Sequence, residues 1–305
     1  MTTPMELSFT DRLLRFNACA EAAFPPIGQF QSVAGRRLHY VRRGPGTDTP
    51  LVLLHGASGN VRDWDLSILP DLAQHHDVIA FDRPGFGYSD ALPDFGWRLT
   101  DQIAHLRAAL AQLGVTRCIL VGHSYGGSLA MRWALDHPDE VAGLALISAP
   151  VMDWGGGGIG PHYHIGGRPI IGDLLAQVAR FLGGGPYLRK TIDGVFVPQA
   201  PTGQYHAEGG AELALRPHTF RTNSVMLLRL YRQMIQQARR NPTLAVPTQI
   251  IHGDADTIVP AWVHAERLSQ MHPQAGLTLL KDVGHMPHHA QPMTVIDAIT
   301  RLANG

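Results

Sequence analysis

Short, mostly apolar runs of four residues recur along the chain, and segments with helical spacing of apolar positions separate them. The six runs are, in chain order, Leu51–Leu54, Val78–Phe81, Cys118–Val121, Leu144–Ile147, Thr248–Ile251 and Leu277–Leu280. Runs that are apolar on both faces are typical of a parallel sheet covered by helices on each side. The pattern therefore predicts a doubly wound, mostly parallel α/β sheet.

The intervals between the runs predict the helices that cover this sheet. These helices are Leu66–Gln74, Thr100–Leu113, Ser124–Asp136, Ala261–Ser269 and Met293–Leu302. Ahead of the first run, Phe30–Val33 and Arg37–Arg43 flank the dipeptide Ala34-Gly35, which predicts an antiparallel hairpin at the start of the sheet.

Residues 1–26 precede this pattern and predict an N-terminal amphipathic helix. Its apolar side chains, Leu13, Phe16, Ala20 and Phe24, recur at helical spacing. We expect this face to pack on the body of the protein, and contact with a membrane interface is the alternative.

The strand pattern stops between the fourth and fifth apolar runs, where glycine clusters and a long predicted helix, Phe220–Arg239, take its place. We therefore divide the remaining chain into an α/β core, residues 27–150 and 242–305, and a cap or lid insertion, residues 151–241. Apolar side chains of this insertion are expected to line an acyl pocket or to pack within the cap. They are Ile170, Ile171, Leu174, Leu175, Val178, Phe181, Leu182, Val195, Phe196, Met226, Leu227 and Leu230.

Composition narrows the class of protein. The 305 residues are 45% hydrophobic and carry no formal net charge at pH 7, so a globular protein without a nucleic-acid partner is expected. Cys19 and Cys118 lack C-x-x-C spacing, which argues against a disulfide framework and favours a reducing compartment. The sequence shows neither a signal-peptide pattern nor about 20 consecutive apolar residues, so we expect a cytoplasmic location.

The zero total charge hides an uneven distribution. Residues 151–240 contain ten basic and five acidic side chains, a net charge of +5. One interpretation is that the insertion docks on an acidic core. The other is that arginines such as Arg221, Arg229, Arg232 and Arg239 face solvent near a pocket entrance and attract anionic substrates or an anionic interface.

The third apolar run continues directly into Gly122-His123-Ser124-Tyr125-Gly126. In a G-x-S-x-G elbow the two glycines allow a tight turn from strand to helix, and the serine hydroxyl is exposed above the sheet. A glycine-rich turn with an ordinary serine is the alternative. The apolar strand before it and the helical spacing of apolar residues after it favour the nucleophile elbow.

Other polar motifs follow the remaining strands, where parallel sheets collect functional groups. They are His55-Gly56-Ala57, Asp82-Arg83-Pro84-Gly85-Phe86-Gly87-Tyr88-Ser89, Gly253-Asp254-Ala255-Asp256-Thr257-Ile258-Val259-Pro260 and Gly284-His285. With the elbow, these motifs and their order resemble the α/β-hydrolase family, in its serine-nucleophile, esterase- or lipase-like branch. The resemblance covers most of the chain outside the insertion and the N-terminal helix.

The resemblance implies a Ser-His-Asp triad of Ser124 as nucleophile, His285 as base and Asp256 as the acid that orients it. Asp254 is the alternative acid, but Asp256 precedes the Thr257-Ile258-Val259-Pro260 segment and matches the family position. Backbone N–H groups of Ala57 and Tyr125 are expected to form the oxyanion hole. No cofactor is expected.

The spacing of some histidines suggests a metal site as an alternative to the serine triad. His285-x-x-His288-His289 and His162-x-His164 have suitable spacing, but no cysteine or carboxylate cluster accompanies them in sequence, so no metal is predicted. His55 and His123 are interpreted as structural residues near the site.

A small-molecule acyl substrate is expected, and hydrolysis of a carboxylic ester is the first hypothesis. A serine at the elbow argues against haloalkane dehalogenases and epoxide hydrolases, which by the resemblance carry aspartate there. Hydrolysis of C–C bonds in diketone-like compounds, of lactones or of amides, and perhydrolysis, are the alternatives. A receptor that binds a ligand without turnover is a further one.

Overall fold

An eight-stranded mixed sheet lies at the centre of the computed structural model, which describes residues 17–46, 49–157, 160–168, 186 and 188–304. The strands are β1 (Gln29–Val33), β2 (Arg36–Arg43), β3 (Leu51–Leu54), β4 (Val78–Phe81), β5 (Cys118–His123), β6 (Val141–Ile147), β7 (Thr248–Gly253) and β8 (Gly276–Leu280). Their order is β1-β2-β4-β3-β5-β6-β7-β8. β1 and β2 form the predicted antiparallel hairpin, β2 also runs antiparallel to β4, and the other pairs are parallel. This is the predicted α/β sheet.

Helices cover both faces of the sheet. Those described are α1 (17–23), α2 (Arg62–Asp65), α3 (Leu69–Leu72), α4 (Leu99–Gln112), α5 (Tyr125–Asp136), α6 (Pro161–Gly166), α7 (188–196), α8 (Gly203–Glu208), α9 (Pro217–Ala238), α10 (Ala265–Met271), α11 (Pro287–Ala290) and α12 (Pro292–Ala303). Short 3-10 turns lie at Pro93–Gly96, Pro138–Glu140, Ala211–Leu215 and Asn241–Thr243.

The central strand β3 shows why the apolar runs have no polar face. Val52 and Leu54 belong to a buried cluster with residues of α4 and α5. Leu51 and Leu53 point to the other face, where they belong to a second cluster with Trp64 and residues of α12. Because successive side chains of a strand alternate between faces, a sheet buried on both sides requires four apolar residues in a row.

Two of the predicted helices differ from those observed. The predicted helix Leu66–Gln74 is shorter in the structure, where α3 covers Leu69–Leu72, because turns occupy residues 66–68 and 73–75. Pro70 lies in the first turn of α3, where its missing N–H costs no helical hydrogen bond. The predicted helix Ala261–Ser269 begins later, at Ala265, because turns occupy residues 261–264.

The described part of the N-terminal helix packs on the protein. Ala20 and Phe24 are buried together with Leu213 of the insertion. Leu13 and Phe16, which the periodicity placed on the same face, lie outside the described residues. The Phe24 carbonyl accepts a hydrogen bond of 2.6 Å from the hydroxyl of Tyr88, so the end of this helix is also fixed by polar contact.

Residues 151–241, the predicted insertion, lie between β6 and β7, and the longest helix among their described residues is α9, close to the predicted Phe220–Arg239. Phe196, Met226 and Leu230 are buried. The predicted wall residues Ile170, Ile171, Leu174, Leu175, Val178, Phe181 and Leu182 lie outside the described part of the chain. Cys19 and Cys118 are free thiols. Among the helices described, we find none with the length and apolar character needed to cross a bilayer.

Candidate active site

Ser124 occupies a strained turn between β5 and α5. Its backbone dihedrals are φ 51° and ψ −122°, which non-glycine residues rarely adopt and which cost about 1–3 kcal/mol. The turn is tight, since a Cβ atom at Gly122 would lie 2.4 Å from the carbonyl oxygen of Gly126. A Cβ atom at Gly126 would in turn lie 2.0 Å from the carbonyl oxygen of Leu54 at the end of β3. Both glycines of G-x-S-x-G are therefore required by close backbone contact.

Two hydrogen bonds connect Ser124, His285 and Asp256. The Nε2 atom of His285 lies 3.0 Å from Oγ of Ser124, and its Nδ1 atom lies 2.7 Å from Oδ2 of Asp256. A carboxylate only accepts, so Nδ1 carries the proton and Nε2 is free to accept the hydroxyl proton of Ser124. His285 and Asp256 are buried, and Ser124 is half-buried.

Asp256 is held as an ionised acceptor. Burial would raise its pKa, but hydrogen bonds from His252 and His285 and from the backbone of Val259 keep the pKa well below the ordinary value. Its second oxygen, Oδ1, accepts the N–H groups of Ile258 and Val259, each at 2.9 Å.

The alternative acid, Asp254, has different hydrogen-bond partners from those of Asp256. It is exposed, and its Oδ1 accepts the N–H of Asp282 at 2.7 Å, which ties the loop after β7 to the loop after β8. The structure therefore places Asp256, and not Asp254, beside His285.

The predicted oxyanion donors are free to bind a ligand atom. Within the described chain, neither the Ala57 N–H nor the Tyr125 N–H donates to a backbone or side-chain acceptor. The loop of Ala57 lies against the elbow, since a Cβ atom at Gly56 would be 3.2 Å from Cβ of Ser124. Tyr125 directly follows Ser124 as the first residue of α5, so its N–H is also one of the unpaired donors at a helix N-terminus.

Arg83, which sequence reasoning did not single out, lies beneath this loop. Its side chain is fully buried, and none of the ion pairs found in the described residues includes it. Nε donates to the carbonyl oxygen of His55 at 2.8 Å and Nη2 to that of Gly56 at 2.9 Å. Burial lowers the pKa of Arg83 to about 10, so the group remains a cation at neutral pH.

The available signal for Arg83 was its place in the motif after β4. Leu54 and Phe81 are register partners at the ends of β3 and β4, so the residues that follow both strands are neighbours. His55 completes this contact, because its Nε2 accepts the N–H of Arg83 at 3.0 Å and its Nδ1 donates to the Gly56 carbonyl at 2.8 Å. Burial lowers the pKa of His55 to about 4, consistent with a neutral, structural imidazole.

A second histidine cluster lies behind His285. Asp63 is buried, and its two oxygens lie 3.2 Å from Nε2 of His288 and 2.9 Å from Nε2 of His289. The Nε2 of His123 lies 2.9 Å from the carbonyl oxygen of His285. Burial would raise the pKa of Asp63, but the charges and hydrogen bonds of His288 and His289 hold it well below the ordinary value.

Three of these groups are close enough to be considered for a metal. Ligand atoms of Asp63, His123 and His288 lie within 4.8 Å of one another, so a carboxylate does accompany histidines here, contrary to the sequence expectation. The Nδ1 atoms of His123 and His288 have no hydrogen-bond partner among the described residues. In the other proposed pair, His164 is exposed and the side chain of His162 lies outside the described set.

The insertion contacts the loops that carry the candidate site. The N–H of Gly284, next to His285, donates to Oε1 of Gln199 at 3.0 Å. The side chain of Asn60, in the loop after β3, donates to the carbonyl oxygen of Gly209 at 3.0 Å. Residues of the insertion therefore donate or accept hydrogen bonds that hold the loops after β3 and β8.

Comparison with known proteins agrees with the observed fold. Residues 49–165 match the family described as alpha/beta hydrolase fold. The chain has the α/β-hydrolase fold.

Individual relatives differ in their chemistry. An uncharacterized protein from Mycobacterium tuberculosis is 28% identical over 298 residues, which cover 91% of this chain and 81% of that protein. A meta-cleavage product hydrolase from Pseudomonas fluorescens IP01 is similar with a TM-score of 0.74 and 23% identity, over 92% of this chain and 98% of the other. An esterase from Rhodococcus sp. ECU1013 gives a TM-score of 0.69 and 24% identity, over 92% and 99%. At these identities the two structures establish the shared fold alone.

Proposed function

We propose that the protein hydrolyses carboxylic esters through an acyl-enzyme intermediate on Ser124. One observation carries the proposal: Ser124, His285 and Asp256 are joined by hydrogen bonds of 3.0 and 2.7 Å, next to the N–H groups of Ala57 and Tyr125, which have no acceptor in the described chain. A serine hydroxyl is a weak nucleophile, and a base within hydrogen-bond reach is the means by which it is activated.

In the proposed reaction, His285 Nε2 takes the Ser124 proton as Oγ attacks the acyl carbon. The carbonyl oxygen becomes an oxyanion that accepts the N–H groups of Ala57 and Tyr125. The tetrahedral intermediate expels the alcohol, which leaves with the proton from His285. Water then attacks the acyl-enzyme, His285 takes its proton and returns it to Ser124, and the carboxylic acid departs. Asp256 orients the imidazole and stabilises its protonated form.

We further propose that the insertion, residues 151–241, is a cap that covers this site and sets acyl preference. Its contacts with the loops after β3 and β8 support this placement. Buried apolar side chains of α7 and α9, such as Phe196 and Met226, supply the kind of surface an acyl chain contacts.

Hydrolysis of a C–C bond in a diketone-like substrate is the second candidate. The shared fold with a meta-cleavage product hydrolase supports it, because the same serine, base and acid would serve that reaction. The two candidates differ in the bond cleaved, and substrate assays separate them.

The test uses purified protein and a panel of p-nitrophenyl esters of graded acyl length, with lactones and a diketone as further substrates. Ester hydrolysis should fall roughly 10⁴-fold or more in Ser124→Ala. Ser269→Ala is the matched control, since Ser269 lies in α10 and its hydroxyl bonds only the carbonyl oxygen of Glu266 among the described residues. A fluorophosphonate should modify Ser124 alone by mass spectrometry. Labelling of another residue, or turnover of diketones without esters, would overturn the ester proposal.

A further inference from the structure

The peptide unit between Gly56 and Ala57 is fixed in orientation by its carbonyl oxygen. That oxygen accepts hydrogen bonds from Nη2 of Arg83 at 2.9 Å and from Nδ1 of His55 at 2.8 Å. This peptide is not among the cis bonds of the described chain, and in a trans peptide the C=O and N–H groups point in opposite directions. Anchoring the Gly56 carbonyl on Arg83 therefore turns the Ala57 N–H away from Arg83.

The Arg83 side chain is itself held rigidly. The Cζ atom of its guanidinium lies 4.4 Å from the ring centroid of Phe86 and also 4.4 Å from the ring centroid of Tyr125. Its Nη1 donates to Oε1 of Gln102 at 3.2 Å. The planar guanidinium of an arginine can donate to two carbonyl oxygens at once, here those of His55 and Gly56. A lysine ammonium lacks this fixed planar geometry.

The same network reaches the second oxyanion donor. Gln102 donates from Nε2 to the hydroxyl of Tyr125 at 3.1 Å, so Arg83 and Gln102 together hold the ring of this residue. Tyr125 is fully enclosed. One buried cation thus contacts Tyr125 through its ring, and through the Gly56 carbonyl oxygen it contacts the peptide unit that carries the Ala57 N–H.

We propose that Arg83 is a positioning residue for the oxyanion hole, which it assembles by anchoring the Gly56 carbonyl and packing on Tyr125. The inference rests on the proposed function, because an oxyanion forms only if Ser124 attacks an acyl carbon. A cation at the carbonyl end of a peptide also polarises that peptide, which strengthens its N–H as a donor. No carboxylate pairs with Arg83 in the described structure to cancel this effect.

The experiment compares a matched ester and thionoester, which differ only in oxygen or sulfur at the acyl carbonyl. Sulfur is a poor hydrogen-bond acceptor, so the thionoester gains little from an oxyanion hole. Arg83→Met should lower kcat for the ester about 10²-fold, the effect of losing one oxyanion donor, with little change in KM. The thionoester rate should fall much less, so the ester-to-thionoester ratio should drop at least tenfold. Arg83→Lys should give an intermediate ratio.

Arg216→Met is the matched control. Arg216 is also buried and donates to backbone carbonyl oxygens, those of Leu213 and Gly87, but it does not contact the Gly56 carbonyl. It should change stability while leaving the ester-to-thionoester ratio at the wild-type value. If Arg83→Met does not fold, Arg83→Lys is used for the same comparison.

The outcomes separate the two proposals. If Arg83 only supports the fold, its variants lower both rates equally and the ratio stays constant, which overturns the positioning role. If the proposed function is wrong, wild-type protein neither hydrolyses the ester nor reacts with fluorophosphonate at Ser124.

Discussion

Asn223 of α9 and Ser58 of the loop after β3 exchange two hydrogen bonds. Oδ1 of Asn223 accepts the Ser58 N–H at 3.1 Å, and Nδ2 donates to the Ser58 hydroxyl at 2.9 Å. Ser58 has a φ of 56° and directly follows Ala57. Helix α9 of the insertion is therefore bonded to the loop that carries a proposed oxyanion donor.

This pair predicts coupling between the insertion and the loop after β3. Asn223→Ala should lower the free energy of unfolding by about 1–3 kcal/mol, because it leaves the Ser58 N–H without its partner. In a double-mutant cycle with Ser58→Ala, urea unfolding should give a coupling energy of about 1 kcal/mol. Effects that add to within 0.3 kcal/mol would show that the two residues are energetically independent.

The second prediction compares the two aspartates of the loop after β7. Asp256→Asn should lose roughly 10⁴-fold in kcat, because an amide cannot hold the imidazole of His285 in the required tautomer. Asp254→Asn is the matched control and should lose far less, since an amide oxygen still accepts the N–H of Asp282. Steady-state assays of both variants on one ester decide this, and the reverse order would place the acid at Asp254.

Much of the sheet follows from sequence, for a physical reason. Strands β3 and β4 have the predicted bounds because a strand buried on both faces is apolar at every position. Short helices such as α2 and α3 carry too few positions for a helical period, so the predicted helix Leu66–Gln74 misses α2 and extends past both ends of α3.

The site was predictable only where a local motif marks it. Ser124 lies in a short pattern whose backbone geometry requires glycines, and Asp256 stands where the resemblance to the family implies the acid. Arg83 and Asn223 act through contacts with loops distant in sequence, and nothing local shows which carbonyl or N–H each one meets. Long-range polar partners of this kind require the folded chain.

The third prediction concerns metals. Both oxygens of Asp63 already accept N–H groups, from His288 and His289, so the carboxylate of this cluster is occupied by protons. Ester hydrolysis should therefore survive exhaustive EDTA treatment, and metal analysis of the purified protein should show no stoichiometric zinc. Loss of activity with EDTA and recovery with Zn²⁺ would instead assign a metal to Asp63, His123 and His288.

The fourth prediction concerns the positive charge of the insertion. Two of its arginines dock on other parts of the chain, Arg216 on Glu21 and Arg240 on Asp136. Arg229 and Arg232 of α9 are exposed and three residues apart. If they attract anionic substrates, kcat/KM for an ester that bears a carboxylate should fall as NaCl rises, because salt screens such charges over about 8–10 Å.

A neutral ester of similar size is the control for this effect, and its kcat/KM should barely change with NaCl. The double variant Arg229→Gln and Arg232→Gln should reduce the salt dependence for the anionic ester. If kcat/KM has the same salt dependence for both esters, the positive charge of the insertion does not attract anionic substrates. Its role would then be to dock the insertion on the core.

The last prediction is a loss of stability in acid that depends on His264. This side chain is buried, and its Nδ1 accepts the N–H of Met152 at 3.1 Å. Burial, and then the nearby His252, lower its pKa from 6.5 to about 3. Between these values the unfolded chain binds a proton at this position and the folded chain does not, so stability is present above pH 6.5 and is lost as the pH falls toward 3. From pH 7 to 4.5 this one histidine should account for about 2 to 3 kcal/mol of the decrease in unfolding free energy.

Urea unfolding of His264→Gln at both pH values should show a decrease smaller by that amount, while His75→Gln, which removes an exposed histidine, should follow the wild type. Parallel curves for wild type and His264→Gln would mean that His264 is protonated equally in the folded and unfolded states.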